Sequence, residues 1–160
     1  MTMTITVIHT SAAVMSVLVG AVVLLARKGT VFHRACGRTY VVAILVMIVS
    51  SFFVTEIRDG WSVFHAVSIL TAALVLFGWL QPLVGRSRAG WLRRHTLSMQ
   101  LTYLILIVTG TAQFFDHLPL PNDALNAIVF LQLPLLVGIA AIVRHGRQVA
   151  GTPGSLSSSP

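Results

Sequence analysis

Histidine is the side chain in this sequence best placed to do chemistry. Six histidines occur in 160 residues, and four of them come one to each successive apolar run: His9, His33, His65 and His95. A neutral imidazole offers a nitrogen lone pair to a metal or a haem iron. His9 lies near the start of the first run, and His65 sits at the same relative depth in the third. His33 and His95 lie at or before the starts of the second and fourth. In an up-down-up-down bundle, alternate helices face each other across the core. His9 is then opposite His65 at one end, and His33 opposite His95 at the other. Two opposed histidines with a planar cofactor between them make a bis-imidazole haem site. The expectation is a haem b with His9 and His65 as axial ligands, and a second cofactor position at His33 and His95.

Blander roles compete with this one. On the first run Ala13, Ser16 and Gly20 share the stripe of His9, and on the third Ser68 and Ala72 share the stripe of His65. Small residues leave room for a flat ring, but their commoner task in membranes is to let helices approach closely. His33 and His95 adjoin arginines, so contact with lipid headgroups accounts for them equally well. His117 and His145 fall in a loop and a terminal basic cluster and carry no assigned chemistry. Other reaction classes leave little trace. No histidines sit at the spacing of a zinc or di-iron motif, and there is no phosphate-binding glycine loop or nucleophile elbow. No carboxylate lies within a span, which weakens a proton- or cation-pump reading. The sequence assigns no enzymatic activity.

The elements that must hold these histidines are membrane helices. The chain is 56% hydrophobic and only 9% charged, with a mean hydropathy of +0.87. A soluble domain carries about a quarter charged residues. About 20 apolar residues cross the hydrocarbon layer, so the length accommodates five spans. They are expected at about 5–26, about 39–54, about 61–80, from 91 or 95 to about 115, and from about 122 to 143; the second has room to begin earlier, since between Val31 and Arg38 only Gly37 is a strong breaker. The expected fold class is all-α transmembrane: a four-helix bundle plus a fifth helix. It forms one domain over 1–145, followed by a disordered cytoplasmic tail at 146–160. Pro82 is expected to end the third helix, Pro134 to kink the fifth, and Asn122 or Asp123 to cap the fifth. Met1 to Val7 lacks the basic residues of a cleavable signal, so the first helix is expected to be retained.

The net charge of +7 sits in short basic clusters between apolar runs, the pattern of cytoplasmic loops, and argues for anionic lipid rather than nucleic acid. Every Lys and Arg except Arg58 follows the first, third or fifth run. Glu56, Asp59, Asp116 and Asp123 all fall between the others. The positive-inside rule then places the N-terminus outside and the C-terminus inside. Arg34, Arg38, Arg93 and Arg94 are candidates for pairing with haem propionates or anionic headgroups. Cys36, the single cysteine, is expected in a cytoplasmic loop as a small apolar filler.

The stretch Lys28-Gly29-Thr30-x-x-His33-Arg34-x-x-Gly37-Arg38-x-Tyr40, with His9 early in the first helix and Arg93-Arg94-His95 and Met99 at the start of a later one, resembles a family of small bacterial multi-pass membrane proteins of unknown function. The likeness covers about residues 5 to 115. It implies a bundle of about four helices in a bacterial inner membrane and makes His9, His33 and His95 part of a pattern. The layout is also similar, in arrangement alone, to that of di-haem b-type membrane cytochromes. The leading functional reading is a b-type haem electron-transfer protein in the bilayer. The alternatives are an accessory or scaffold subunit of a larger membrane complex or homo-oligomer, and a small-molecule or lipid transporter.

Overall fold

The computed structural model describes residues 2–54, 62–85 and 89–150. Helix α1 (Thr2–Leu25) and helix α2 (Val31–Ser51) form a tight antiparallel pair. Helices α3 (Val63–Val84) and α4 (Trp91–Gln113) form a second. Contacts of α2 with α3 and of α1 with α4 close the four into a ring. A short 3₁₀ turn, Phe115–His117, leads to a final rod. This rod begins as α5 (Asp123–Asn126), passes through a π-helical segment (Ala127–Gln132) and continues as α6 (Leu133–Ala150). It packs on the outside of α4.

Four stretches are long and apolar enough to cross a membrane: Met3–Leu25, Val31–Ser51, Val63–Val84 and Asp123–Gly146. Their large apolar side chains point outward; Leu25 is 88% exposed and Leu136 63%. Helix α4 departs from the expected five apolar spans. At 23 residues it is long enough, about 34 Å at 1.5 Å per residue. Arg93, Arg94, His95, Gln100 and its threonines lower its hydropathy. The fold accommodates them because α4 touches α1, α3 and α6, so much of its surface meets protein. Thr102, Thr109 and Thr111 each turn a hydroxyl back to a carbonyl of their own helix, which removes the cost of an unpaired polar group.

The core is small and central. Tyr40, Val41, Ile44 and Ile48 of α2 meet Val75 of α3 and Leu106 of α4, with Ile44 and Val75 fully buried. Close approach depends on glycine. A Cβ on Gly20 of α1 would lie 2.6 Å from Cε2 of Tyr103 and 3.0 Å from Tyr40. A Cβ on Gly78 of α3 would lie 2.9 Å from the Cβ of Ser98 and 3.0 Å from the Met99 sulfur.

Several boundaries differ from the sequence expectation. Helix α2 begins at Val31, well before residue 39, because Thr30 caps it: its Oγ1 accepts the His33 N–H at 3.1 Å. Gly29 reverses the chain at φ +79°, a conformation that costs glycine little. Cys36 therefore sits half-buried on a helix rather than in a loop. Helix α3 runs through Pro82 to Val84. Asn122 is the cap of the last rod, its Oδ1 accepting the N–H of Ala124 at 2.7 Å and of Leu125 at 3.4 Å. Asn126, buried just inside, clamps the preceding loop through both the N–H and the C=O of Leu120. The π-helical turn ends two residues before Pro134, where a missing N–H must be absorbed. Helix α6 continues to Ala150, past the expected domain end at 145. Glu56, Arg58 and Asp59, the expected start of the third helix at residue 61, Arg86, Arg88 and the tail from 151 lie outside the described residues.

Replacing Gly20 by Leu forces α1 away from Tyr103 and Tyr40. The expected loss is about 1–3 kcal/mol for overpacking, read as a lower thermal midpoint in detergent. Gly37→Leu, where a Cβ meets nothing within 4 Å, should leave the midpoint close to wild type.

Candidate functional site

Two polar sites lie at opposite ends of the helical ring. At one end, His9 of α1 and His65 of α3 line a single cavity of about 390 Å³. Hydroxyls surround it from several helices: Thr6 and Thr10 of α1, Ser51 of α2, Ser68 and Thr71 of α3, Thr109 of α4. Gln113 lies at its rim, and Ile48 and Leu106 lie on its wall. The spacing of the two histidines in sequence thus corresponds to one shared site in space.

Their rings are held differently. His9 Nδ1 lies 3.0 Å from the Met47 carbonyl oxygen and 3.2 Å from Ser50 Oγ. A carbonyl only accepts, so Nδ1 carries the proton and Nε2 of the neutral ring keeps a lone pair. At His65, by contrast, Nδ1 accepts the backbone N–H of Ser62 at 3.1 Å. The side chain closes the first turn of its own helix, a capping role that Glu or Gln fills in the usual box. In the neutral ring the proton then sits on Nε2. Phe52 packs beside this ring, centroids 5.5 Å apart.

At the other end, His33 and His95 lie close enough for their charges to interact. His95 Nδ1 donates to the Gly78 carbonyl at 2.8 Å, which leaves its Nε2 with a lone pair. The Nδ1 of His33 is buried with no hydrogen-bond partner. Lys28 donates to the Val23 carbonyl and to that of Leu24, each at 2.8 Å; partial burial pulls the lysine pKa below its ordinary value.

Between the two ends runs a seam of α2 and α4. Tyr40 and Thr102 lie two turns beyond His33 and His95 respectively. Their hydroxyls meet at 3.0 Å in a fully buried hydrogen bond. Ile44 and Leu106, one turn further on, are both buried core residues. Matching positions of the two helices thus face one another from the histidines to the cavity wall.

The four arginines divide into two kinds. Arg34 donates to the Gly29 carbonyl at 2.7 Å. Arg94 donates to Ala89 at 3.0 Å and, through Nε, to Gln81 Oε1 at 2.9 Å. Both fasten the turn that precedes their helix. Arg38 and Arg93 are exposed and face away from such backbone contacts. Sequence reasoning missed the carbonyl anchors of the histidines and the capping role of His65. The serine three residues before His65, at the start of an apolar run, was the available signal.

Among the described residues no three His, Cys, Asp or Glu side chains group together to hold a metal ion. Two-histidine sites suit a cofactor that brings its own remaining ligands.

A protein-family profile described as "Predicted membrane protein (DUF2306)" matches residues 6–146. The chain belongs to this family. Comparison with curated proteins and with solved structures gives no match. The family description fits the four apolar spans and carries no activity.

If the His9 cavity is water-accessible, Ser68→Cys in a Cys36→Ala background should react with a small hydrophilic thiol reagent severalfold faster than Ser98→Cys. Ser98 is 6% exposed and packs between α3 and α4, so mass spectrometry of labelled protein gives the comparison directly.

Proposed function

We propose that this chain is a membrane redox protein that holds haem b between histidines of alternate helices, with His33 and His95 the better prepared pair. The observation that carries the reading is how these rings are anchored. The His95 ring gives its Nδ1–H to the Gly78 carbonyl and keeps a lone pair on Nε2, and the ring of His33 holds a buried Nδ1 with no partner. Histidine ligands of metals are commonly fixed in this way, because the anchoring bond sets the tautomer and raises the basicity of the ligating atom. His9 is prepared likewise. His65 must release the Ser62 amide before its ring can serve as a ligand.

When bound, haem supplies one-electron transfer. The protein's own groups position and screen it. Arg38 and Arg93, exposed near the His33 end, would take a propionate or an anionic lipid headgroup. The Tyr40–Thr102 bond and the layer of Ile44 and Leu106 keep the two ends apart with a dry core. With the N-terminus outside a bacterial cytoplasmic membrane, the His33 end faces the cytoplasm and the His9 cavity faces out.

The capping bond of His65 favours a second reading of the His9 cavity alone. With a lone pair on His9 Nε2 and the hydroxyls of Thr10, Ser68 and Thr109 on its wall, the cavity is complementary to a small polar molecule that both donates and accepts hydrogen bonds.

Detergent-purified protein from cells supplied with haem should show a Soret band, with sharpened α and β bands after dithionite reduction. His95→Ala and His33→Ala should each remove most of that signal. Retention of the full signal in His9→Ala and His65→Ala would assign the outer cavity to the second reading. A flat visible spectrum of the wild type overturns the haem proposal and favours an accessory or scaffold subunit of a larger complex.

A further inference from the structure

Pro82 lies inside α3 and should interrupt it. A proline has no N–H, so the carbonyl four residues earlier loses its helical partner, and the proline ring crowds that carbonyl outward. The orphaned carbonyl is that of Gly78. It is also the atom that accepts His95 Nδ1–H, at 2.8 Å. The missing bond within α3 is thus replaced by one from α4.

The surroundings fit this exchange. Gly78 is itself buried, and a side chain there would strike Ser98 and Met99, so α4 lies close enough for an imidazole to reach the backbone. Gln81, next to the proline, is 9% exposed and receives Arg94 Nε at 2.9 Å. Arg94 and His95 therefore dock on consecutive parts of one broken turn. The arginine fixes the start of α4 and the histidine fills the gap.

We propose that Pro82 is a positioning residue that selects the coordinating nitrogen of His95. By leaving the Gly78 carbonyl open, it holds His95 in the Nδ1–H tautomer and so leaves the lone pair on Nε2. With any other residue at 82, a backbone N–H draws the same carbonyl back into line with α3, and the imidazole is left with a weaker, less selective bond. The functional consequence rests on the haem reading of the His33–His95 pair, but the tautomer is a property of the cofactor-free protein.

The test is therefore made first without cofactor. Nitrogen NMR of ¹⁵N-histidine-labelled protein in detergent, with His95→Gln identifying the resonance, reports which ring nitrogen is protonated. The wild type should show His95 with protonated Nδ1 and bare Nε2. Pro82→Ala should convert that single form to a mixture of tautomers. Removing a proline from a helix interior favours folding, and Pro82→Gly supplies the same amide if the alanine variant proves unsuitable. Protonated Nε2 in the wild type, or an unchanged Nδ1–H form in both variants, overturns the proposal. Haem titration then reads the consequence. Pro82→Ala should weaken uptake at the His33–His95 pair by roughly 10–100-fold, the usual cost of losing an outer-shell partner. If neither protein takes up haem while the tautomers behave as expected, the haem reading fails and the role of Pro82 stands.

Discussion

The close approach of one polar helix to its neighbours is the constraint on which the molecule depends. Helix α4 carries arginines, a glutamine and hydroxyls that lipid would not tolerate. It is accepted because each adjoining helix offers it a glycine: Gly20 opposite Tyr103, Gly78 opposite Ser98 and Met99, Gly138 opposite Leu104, and Gly146 opposite Leu97. In a bilayer, lipid tails compete with apolar side chains on equal terms, so backbone proximity and buried polar bonds must supply the association energy. The hydrogen bonds Tyr40–Thr102, Tyr103–Val17 and His95–Gly78 all require the short separations that those glycines permit.

The same proximity gives the histidines their character. An imidazole beside a backbone carbonyl is an oriented ring of fixed tautomer. Among these four histidines, His9 and His95 carry a carbonyl partner, His65 carries a backbone amide, and the buried Nδ1 of His33 carries none. That difference separates lone-pair donors from a helix cap. It arises from local backbone geometry: a proline-opened turn at Gly78, the Met47 carbonyl near the end of α2, and a free amide at the start of α3.

Much of this architecture was legible in the sequence. Apolar runs of spanning length placed the helices, and the depth of each histidine within its run brought His9 to His65 and His33 to His95. What failed to show was anything that depends on a partner helix. Pro82 read as a stop because its cost is local and its remedy, His95, lies on another element. Residues 31–38 read as a loop with an earlier helix start left open, because their charges mask the helix that Thr30 caps while only Gly37 breaks it. Helix α4 read as one more apolar span because length and flanking loops suggested it, while its polarity makes sense only once α1, α3 and α6 surround it. The arginines read as a single class until the structure separated the two that fasten turns from the two left exposed.

The two antiparallel pairs, α1–α2 and α3–α4, are built alike. Each has a turn with a left-handed glycine, Gly29 or Gly90, and an arginine reaching back to a carbonyl of that turn. Each pair contributes one histidine to each end. Neither end is therefore complete within a single hairpin: a lone α1–α2 unit inserted in the bilayer holds half of two sites and the whole of none. Both sites come into being only when the two hairpins meet.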